Sequence, residues 1–144
     1  MNNISLGSWI FTESLVLLIK LIKFNRGEAM KLLREMVVTD GKVYDNNVLK
    51  VDSFLNHQID ATLMLEMAKV FYEYFKDEKI TKILTIEASG IAPAIMVANL
   101  FKVPMVFAKK SKPSTLKDNA VFTAQVHSYT KNVTNTIVVS EKFI

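Results

Sequence analysis

Apolar positions along this chain fall into short blocks whose spacing changes from one block to the next. Behind Asp60, a residue type that caps helix starts, Leu63, Met67, Val70, Phe71 and Tyr74 recur at helical intervals. That spacing predicts a helix to about residue 76 with those side chains as its buried stripe. Residues 77–79 (DEK) end it, and 80–86 (ITKILTI) has the β-branched character of a buried strand. A turn over 87–93, a helix over 91–101 and a strand over 103–108 (VPMVFA) complete a strand–helix–strand unit. Such a unit implies a parallel sheet covered on both faces. Upstream, 30–36 is a short helical pattern with Leu32, Leu33 and Met36 on one side, Thr39-Asp40-Gly41 marks a turn, and 48–54 alternates as an extended segment. Downstream, a lysine-bearing polar stretch over 109–119 precedes two alternating runs, 121–129 and 134–140. Lys131-Asn132 separates these runs, which predicts a hairpin. Met64 and Met67 fall within helical apolar faces and read as core fillers.

Both ends of the sequence stand out. Residues 9–24 (WIFTESLVLLIKLIKF) place Phe11, Leu15, Leu18 and Ile22 on one helical face, with Glu13, Lys20 and Lys23 on another. The uninterrupted apolar run is far below the roughly 20 residues that a spanning helix needs, and the pattern of a signal peptide is absent. An amphipathic helix lying on a membrane surface or a partner is one reading. The other is that residues 1–29 are translated upstream sequence: Arg26-Gly27-Glu28 can be written in purine codons, as a bacterial ribosome-binding site is, and Met30 follows as a start. At the far end, 134–140 (TNTIVVS) is expected to form a strand with nothing left to cover or pair it, an exposed strand at the end of a sheet.

Composition narrows the choices. At 144 residues and 50% apolar, the length suits one domain with a sizeable core. The chain has no Cys, which excludes disulfides, thiolate metal sites and a cysteine nucleophile. His57 and His127 have no obvious carboxylate or nucleophile beside them and read as surface or packing residues. Eighteen Lys and Arg against 14 Asp and Glu leave a net charge of +4, which suits an anionic small substrate and is too weak to argue for nucleic acid.

Candidate chemistry sits where the strands of the central unit end. Glu87-Ala88-Ser89-Gly90-Ile91-Ala92-Pro93-Ala94 follows one strand and opens a helix, at the carboxyl end of a parallel sheet. Small residues there let backbone approach a ligand, and amides at a helix start favour an anion, with Ser89 able to add a hydroxyl; equally, Gly90 can serve only a tight turn. Lys109-Lys110 ends the next strand on the same side of the sheet, either as a clamp for that anion or as a solvated charge pair. Lys112 and Lys117 lie in the following long loop, a place for a lid.

These strings carry a resemblance. Residues 48–60 (VLKVDSFLNHQID) resemble the N-terminal purine-binding signature of bacterial xanthine phosphoribosyltransferases, and 80–94 (ITKILTIEASGIAPA) resemble their pyrophosphate loop. Residues 103–119 (VPMVFAKKSKPSTLKDN) and 123–131 resemble their lysine pair and flexible catalytic loop. The similarity runs from about Met30 to Ser140. It implies an α/β type I phosphoribosyltransferase fold, a parallel sheet flanked by helices, in a cytoplasmic homodimer. The implied reaction joins xanthine to 5-phosphoribosyl 1-pyrophosphate (PRPP), giving xanthosine 5′-monophosphate (XMP) and pyrophosphate in purine salvage, with Mg²⁺ on the pyrophosphate. By this resemblance Leu49 and Asn56 contact xanthine, Ala88, Ser89 and Gly90 bind pyrophosphate with Lys110, and the loop bearing Ser111, Ser114 and Thr115 closes over the transition state. No protein metal ligand and no nucleic-acid partner is implied.

One part of the family pattern is missing. A strand ending in two consecutive acids, followed by a small-residue loop for the 5′-phosphate, should come soon after Ser140, where the sequence reads Glu141-Lys142-Phe143-Ile144. The expectation is therefore the first part of a larger domain over 30–144, incomplete at its C-terminus, with negligible transferase activity of its own. The alternative is a non-catalytic regulator or nucleotide-binding module on the same fold, although residues 1–29 show no winged or helix-turn-helix pattern.

Overall fold

In the computed structural model the described residues are 28–44, 48–111, 120–128 and 133–144. The amphipathic stretch 9–24 and the loop residues Lys112, Ser114, Thr115 and Lys117 lie outside them. Helix α1 (Glu28–Thr39) outlasts its apolar pattern and closes where the amides of Asp40 and Gly41 donate to the carbonyls of Met36 and Val37, at 2.9 and 3.2 Å. A Cβ on Gly41 would overlap that Val37 carbonyl oxygen, so only glycine lets the chain leave the helix this tightly. Strands β1 (Lys42–Tyr44) and β2 (Val48–Lys50) then pair antiparallel, Val43 opposite Leu49.

The segment 48–54 is not extended throughout, as its alternation predicts. It leaves the strand after Lys50 and coils into a wide helical turn, Asp52–Asn56, in which the His57 amide reaches back five residues to the Asp52 carbonyl at 3.2 Å. Packing explains the difference. A strand would send Phe54 and Leu55 to opposite faces, whereas the turn buries Val51, Phe54 and Leu55 together.

Helix α2 (Ala61–Phe75) starts as its sequence indicates, with Asp60 Oδ1 accepting from the Leu63 amide at 2.9 Å. Leu63, Met64, Met67, Ala68 and Phe71 form its buried stripe. Tyr74, expected in that stripe, is 59% exposed, with its ring edge-on to Phe75 at 4.6 Å; at the helix end its phenol stays in water and avoids desolvation.

The strand–helix–strand unit is β3 (Ile83–Ile86), α3 (Ile91–Phe101) and β4 (Met105–Ala108). Its strands pair parallel, from Ile83 opposite Met105 to Ile86 opposite Ala108. Pro93 falls in the first turn of α3, where no helical amide bond is lost, and Lys102 turns the chain back in the left-handed region at φ 57°. The two faces of this pair differ. Ile83 and Met105 join the large core built by α1, α2, α3 and the wide turn, including Leu33, Phe54, Leu63 and Val97. Ile86 and Ala108 point to the other face, where they pack with Ile137, half-buried Val126 and Val139, and this second cluster contains no helical residue. Among the described residues, helices pack on one face of this pair and hairpin residues on the other.

Strands β5 (Val121–Ser128) and β6 (Val133–Ser140) form the expected hairpin, Val121 opposite Ser140 and Ser128 opposite Val133. The last strand is not left unpaired. One edge holds β5, and the other exchanges backbone hydrogen bonds with Lys109, giving a spatial order β3–β4–β6–β5. Ile137 and Val138 are buried by this arrangement. After β6 a short 3₁₀ turn (Glu141–Phe143) is capped by Ser140, and its Phe143 carbonyl accepts from Lys82 Nζ.

Candidate functional site

Parallel strands end on the same side of a sheet, and the register of β3 with β4 brings the chain after Ile86 beside the chain after Ala108. The Glu87 amide still donates to the Ala108 carbonyl at 3.0 Å, extending the ladder by one bond. The Glu87–Ala88 peptide is cis. Ala88 is exposed, Ser89 half-buried and Gly90 buried as the N-cap of α3. The Ala88 carbonyl accepts from the Ile91 amide at 3.1 Å and the Gly90 carbonyl from the Ala94 amide at 3.2 Å, so the loop runs directly into the helix. No side chain caps this helix start; its amides and the positive end of its dipole face the loop, a setting suited to an anion.

Across the gap, the two lysines have different fates. Lys109 is held by two backbone hydrogen bonds to Val138, and its Nζ lies 5.5 Å from the centroid of the Phe107 ring. Lys110 is exposed, and its amide donates to Glu87 Oε1 at 2.6 Å. Of the pair, Lys110 is therefore the residue whose backbone is joined to Glu87, immediately before the Ala88–Gly90 loop. Ser111 follows it and is exposed. The carboxylate of Glu87 was not singled out from sequence. Its signal was there: one acid directly after an apolar strand, beside the small residues of an anion loop.

Leu49 and Asn56 are carried by a different part of the chain, β2 and the wide turn leading into α2. Leu49 is half-buried and packs against the large core, while Asn56 is exposed at the end of the turn. Between them Lys50 Nζ lies 3.3 Å from Asp52 Oδ2. The hydrogen bond that Lys50 donates to Asp52, with the nearby charge of Tyr44, holds the Lys50 ammonium above its ordinary pKa of 10.5. His57 is exposed, and His127, also exposed, has Nδ1 3.4 Å from Thr134 Oγ1 on the hairpin, away from these residues. Among the described residues no three acidic or imidazole groups gather. No helix among them is long and apolar enough to cross a membrane.

No protein-family model matches the chain. Curated relatives do. It is 64% identical over 115 residues to the xanthine phosphoribosyltransferase of Staphylococcus saprophyticus and 62% identical over 115 residues to that of Staphylococcus haemolyticus. Each match covers 80% of this chain and 59% of the relative, so the chain spans about three fifths of their length. Among solved structures it is similar to the APRTase of Giardia lamblia complexed with 9-deazaadenine, at 18% identity and a TM-score of 0.55, covering 76% of this chain and 60% of that one. The adenine phosphoribosyltransferase of Trypanosoma brucei, in complex with AMP, pyrophosphate and ribose-5-phosphate, matches with a TM-score of 0.54 at 16% identity over 79% of this chain and 49% of that one. These likenesses show an α/β phosphoribosyltransferase fold.

Proposed function

We propose that the chain belongs to the xanthine phosphoribosyltransferase family of its curated relatives, and that it carries the base-binding and pyrophosphate-binding parts of an enzyme transferring phosphoribosyl from PRPP to xanthine. In that pentosyl transfer a bond forms between a base nitrogen and ribose C1, and the bond from C1 to a pyrophosphate oxygen breaks. Negative charge gathers on the departing pyrophosphate, and positive charge develops at C1. The observation that carries the reading is the bond between Lys110 and Glu87, the residue just before the Ala88–Gly90 loop, at the ends of β3 and β4. Loop amides, the start of α3 and the Lys110 ammonium are donors suited to a pyrophosphate that becomes more charged as it leaves.

Leu49 and Asn56 are assigned to xanthine, an apolar contact and an amide able to meet the polar edge of a base. Ser111, Ser114 and Thr115 are assigned to the loop that excludes water during transfer. Mg²⁺ is proposed to arrive as part of the substrate, on pyrophosphate oxygens, in the way magnesium is commonly held mainly by phosphates and water. Assembly as a homodimer in the cytoplasm, a domain starting at Met30, and residues 1–29 as a separate extension are parts of the same proposal. Light scattering of the purified chain and the intact mass of the endogenous protein test the first and the last of these.

Calorimetric titration of the 144-residue chain with magnesium pyrophosphate tests the assignment. Binding is expected, and Lys110→Ala is expected to weaken it about tenfold, the scale of one charge-assisted contact. Binding that is unchanged by Lys110→Ala sinks the assignment. XMP formation by the chain alone is expected to be negligible. The one run of two acids, Asp77-Glu78, follows α2 and does not end a strand, so the acidic pair for the ribose is not among these residues. Phosphoribosyl transfer by homogeneous chain would refute that expectation.

A further inference from the structure

In a parallel ladder each bonded residue gives its amide to one neighbour on the partner strand and its carbonyl to another two positions on. The described bonds follow this rule: Ile83 stands opposite Met105 and donates to the Pro104 carbonyl at 3.0 Å, and Glu87 donates to the Ala108 carbonyl at 3.0 Å. The next acceptor in the series, for the Lys110 amide, is the main-chain carbonyl of Glu87. The amide instead meets Glu87 Oε1 at 2.6 Å. The carboxylate stands in the place of the main-chain acceptor, so the chain can turn away into the Ala88–Gly90 loop while the ladder's last bond is kept.

A negative charge at this point is costly for an anion site, since it repels the ligand that the loop and Lys110 attract. A purely electrostatic design would place a neutral residue here. We propose that Glu87 is a positioning residue: its side chain fastens the Lys110 peptide to the residue from which the pyrophosphate loop Ala88–Gly90 departs, fixing the two halves of the site relative to one another. The inference rests on the reading of that loop as a pyrophosphate site for its function, and on the register of β3 and β4 for its geometry. Glu87 touches no reacting atom in this role. Its contribution is spacing, and it outweighs the repulsion it brings.

Charge and geometry separate in two variants. Glu87→Gln keeps an oxygen acceptor and removes the charge; Glu87→Ala removes both. Hydrogen exchange of the Lys110 amide, followed by NMR on the full chain, is expected to accelerate about tenfold or more in Glu87→Ala and to change little in Glu87→Gln. Titration with magnesium pyrophosphate is expected to weaken about tenfold in Glu87→Ala and to stay equal or tighten in Glu87→Gln. Thermal melts confirm that both variants are folded; if Glu87→Ala is not, Glu87→Ser, whose hydroxyl is too short to reach the amide, replaces it with the same expectations. Unchanged Lys110 exchange in the alanine variant overturns the proposal, and so does pyrophosphate binding that tightens equally in both variants, the result of charge alone. If wild-type chain binds no pyrophosphate, the reading of the loop fails, and amide exchange still decides whether Glu87 fastens the two segments.

Discussion

Lys109 and Val138 exchange both of their backbone hydrogen bonds, each at 2.8 Å, and this pair joins the hairpin to the parallel strands. Among the described residues the large core includes neither partner, and the smaller cluster of Ile86, Ala108 and Ile137 lies beside the pair. Alignment of the hairpin with β4 therefore depends heavily on two main-chain bonds.

Val138→Pro removes the amide of this pair from an interior strand position. Urea unfolding is expected to show a loss of ~2 kcal/mol or more, from the missing bond and the carbonyl left without its donor. A loss below a few tenths of a kcal/mol would show that the Lys109 contact is not formed in solution.

Asp60→Ala takes the cap from α2. With the Leu63 amide left without its acceptor, stability is expected to fall by ~1 kcal/mol, and Asp60→Asn is expected to recover most of it. Chemical denaturation of the three proteins measures both differences.

Gly41→Ala drives a methyl group into the Val37 carbonyl and within 3.3 Å of Leu49 Cδ1. The end of α1 must shift, at an expected cost of about 1–3 kcal/mol. Because the same methyl also crowds Leu49, xanthine affinity should fall along with stability; an affinity that survives intact separates Leu49 from base binding.

Lys50 is expected to titrate above 10.5, since its hydrogen bond with Asp52 favours the charged form. A raised folded-state pKa means that whatever the pair contributes is fully present below pH 10.5 and is lost as pH climbs through the folded value. NMR titration of the Lys50 side chain should show the displacement in wild type and its disappearance in Asp52→Asn.

Much of this architecture could be read from residue spacing, for physical reasons that differ by element. Asp60 and the stripe behind it are local: cap and helix lie within one stretch of chain, and the structure places the cap, Leu63, Met67 and Phe71 as the pattern indicates while leaving Tyr74 exposed. The parallel pairing of β3 with β4 follows from a connection of suitable length through α3. The wide turn Asp52–Asn56 was hidden because alternation alone cannot show that Phe54 and Leu55 share one core. The place of β6 beside Lys109 was hidden because it depends on a partner distant in sequence. At the site, the small-residue loop and the lysines were visible as residue types. The role of Glu87 was not, since it is fixed by where one main-chain carbonyl fails to point.

The join at Lys109 and Val138 also sets an order of events. Helix α3 closes β3 onto β4 over a short connection, and β5 meets β6 through a hairpin, so both pieces form from neighbours in sequence. Bringing the pieces together requires a longer closure that little packing favours until it is complete. The peptide next to Lys110 thus reaches its final place in the last step, by docking of two structures already formed. Stopped-flow kinetics of Val138→Ala should accordingly show faster unfolding and an unchanged folding rate.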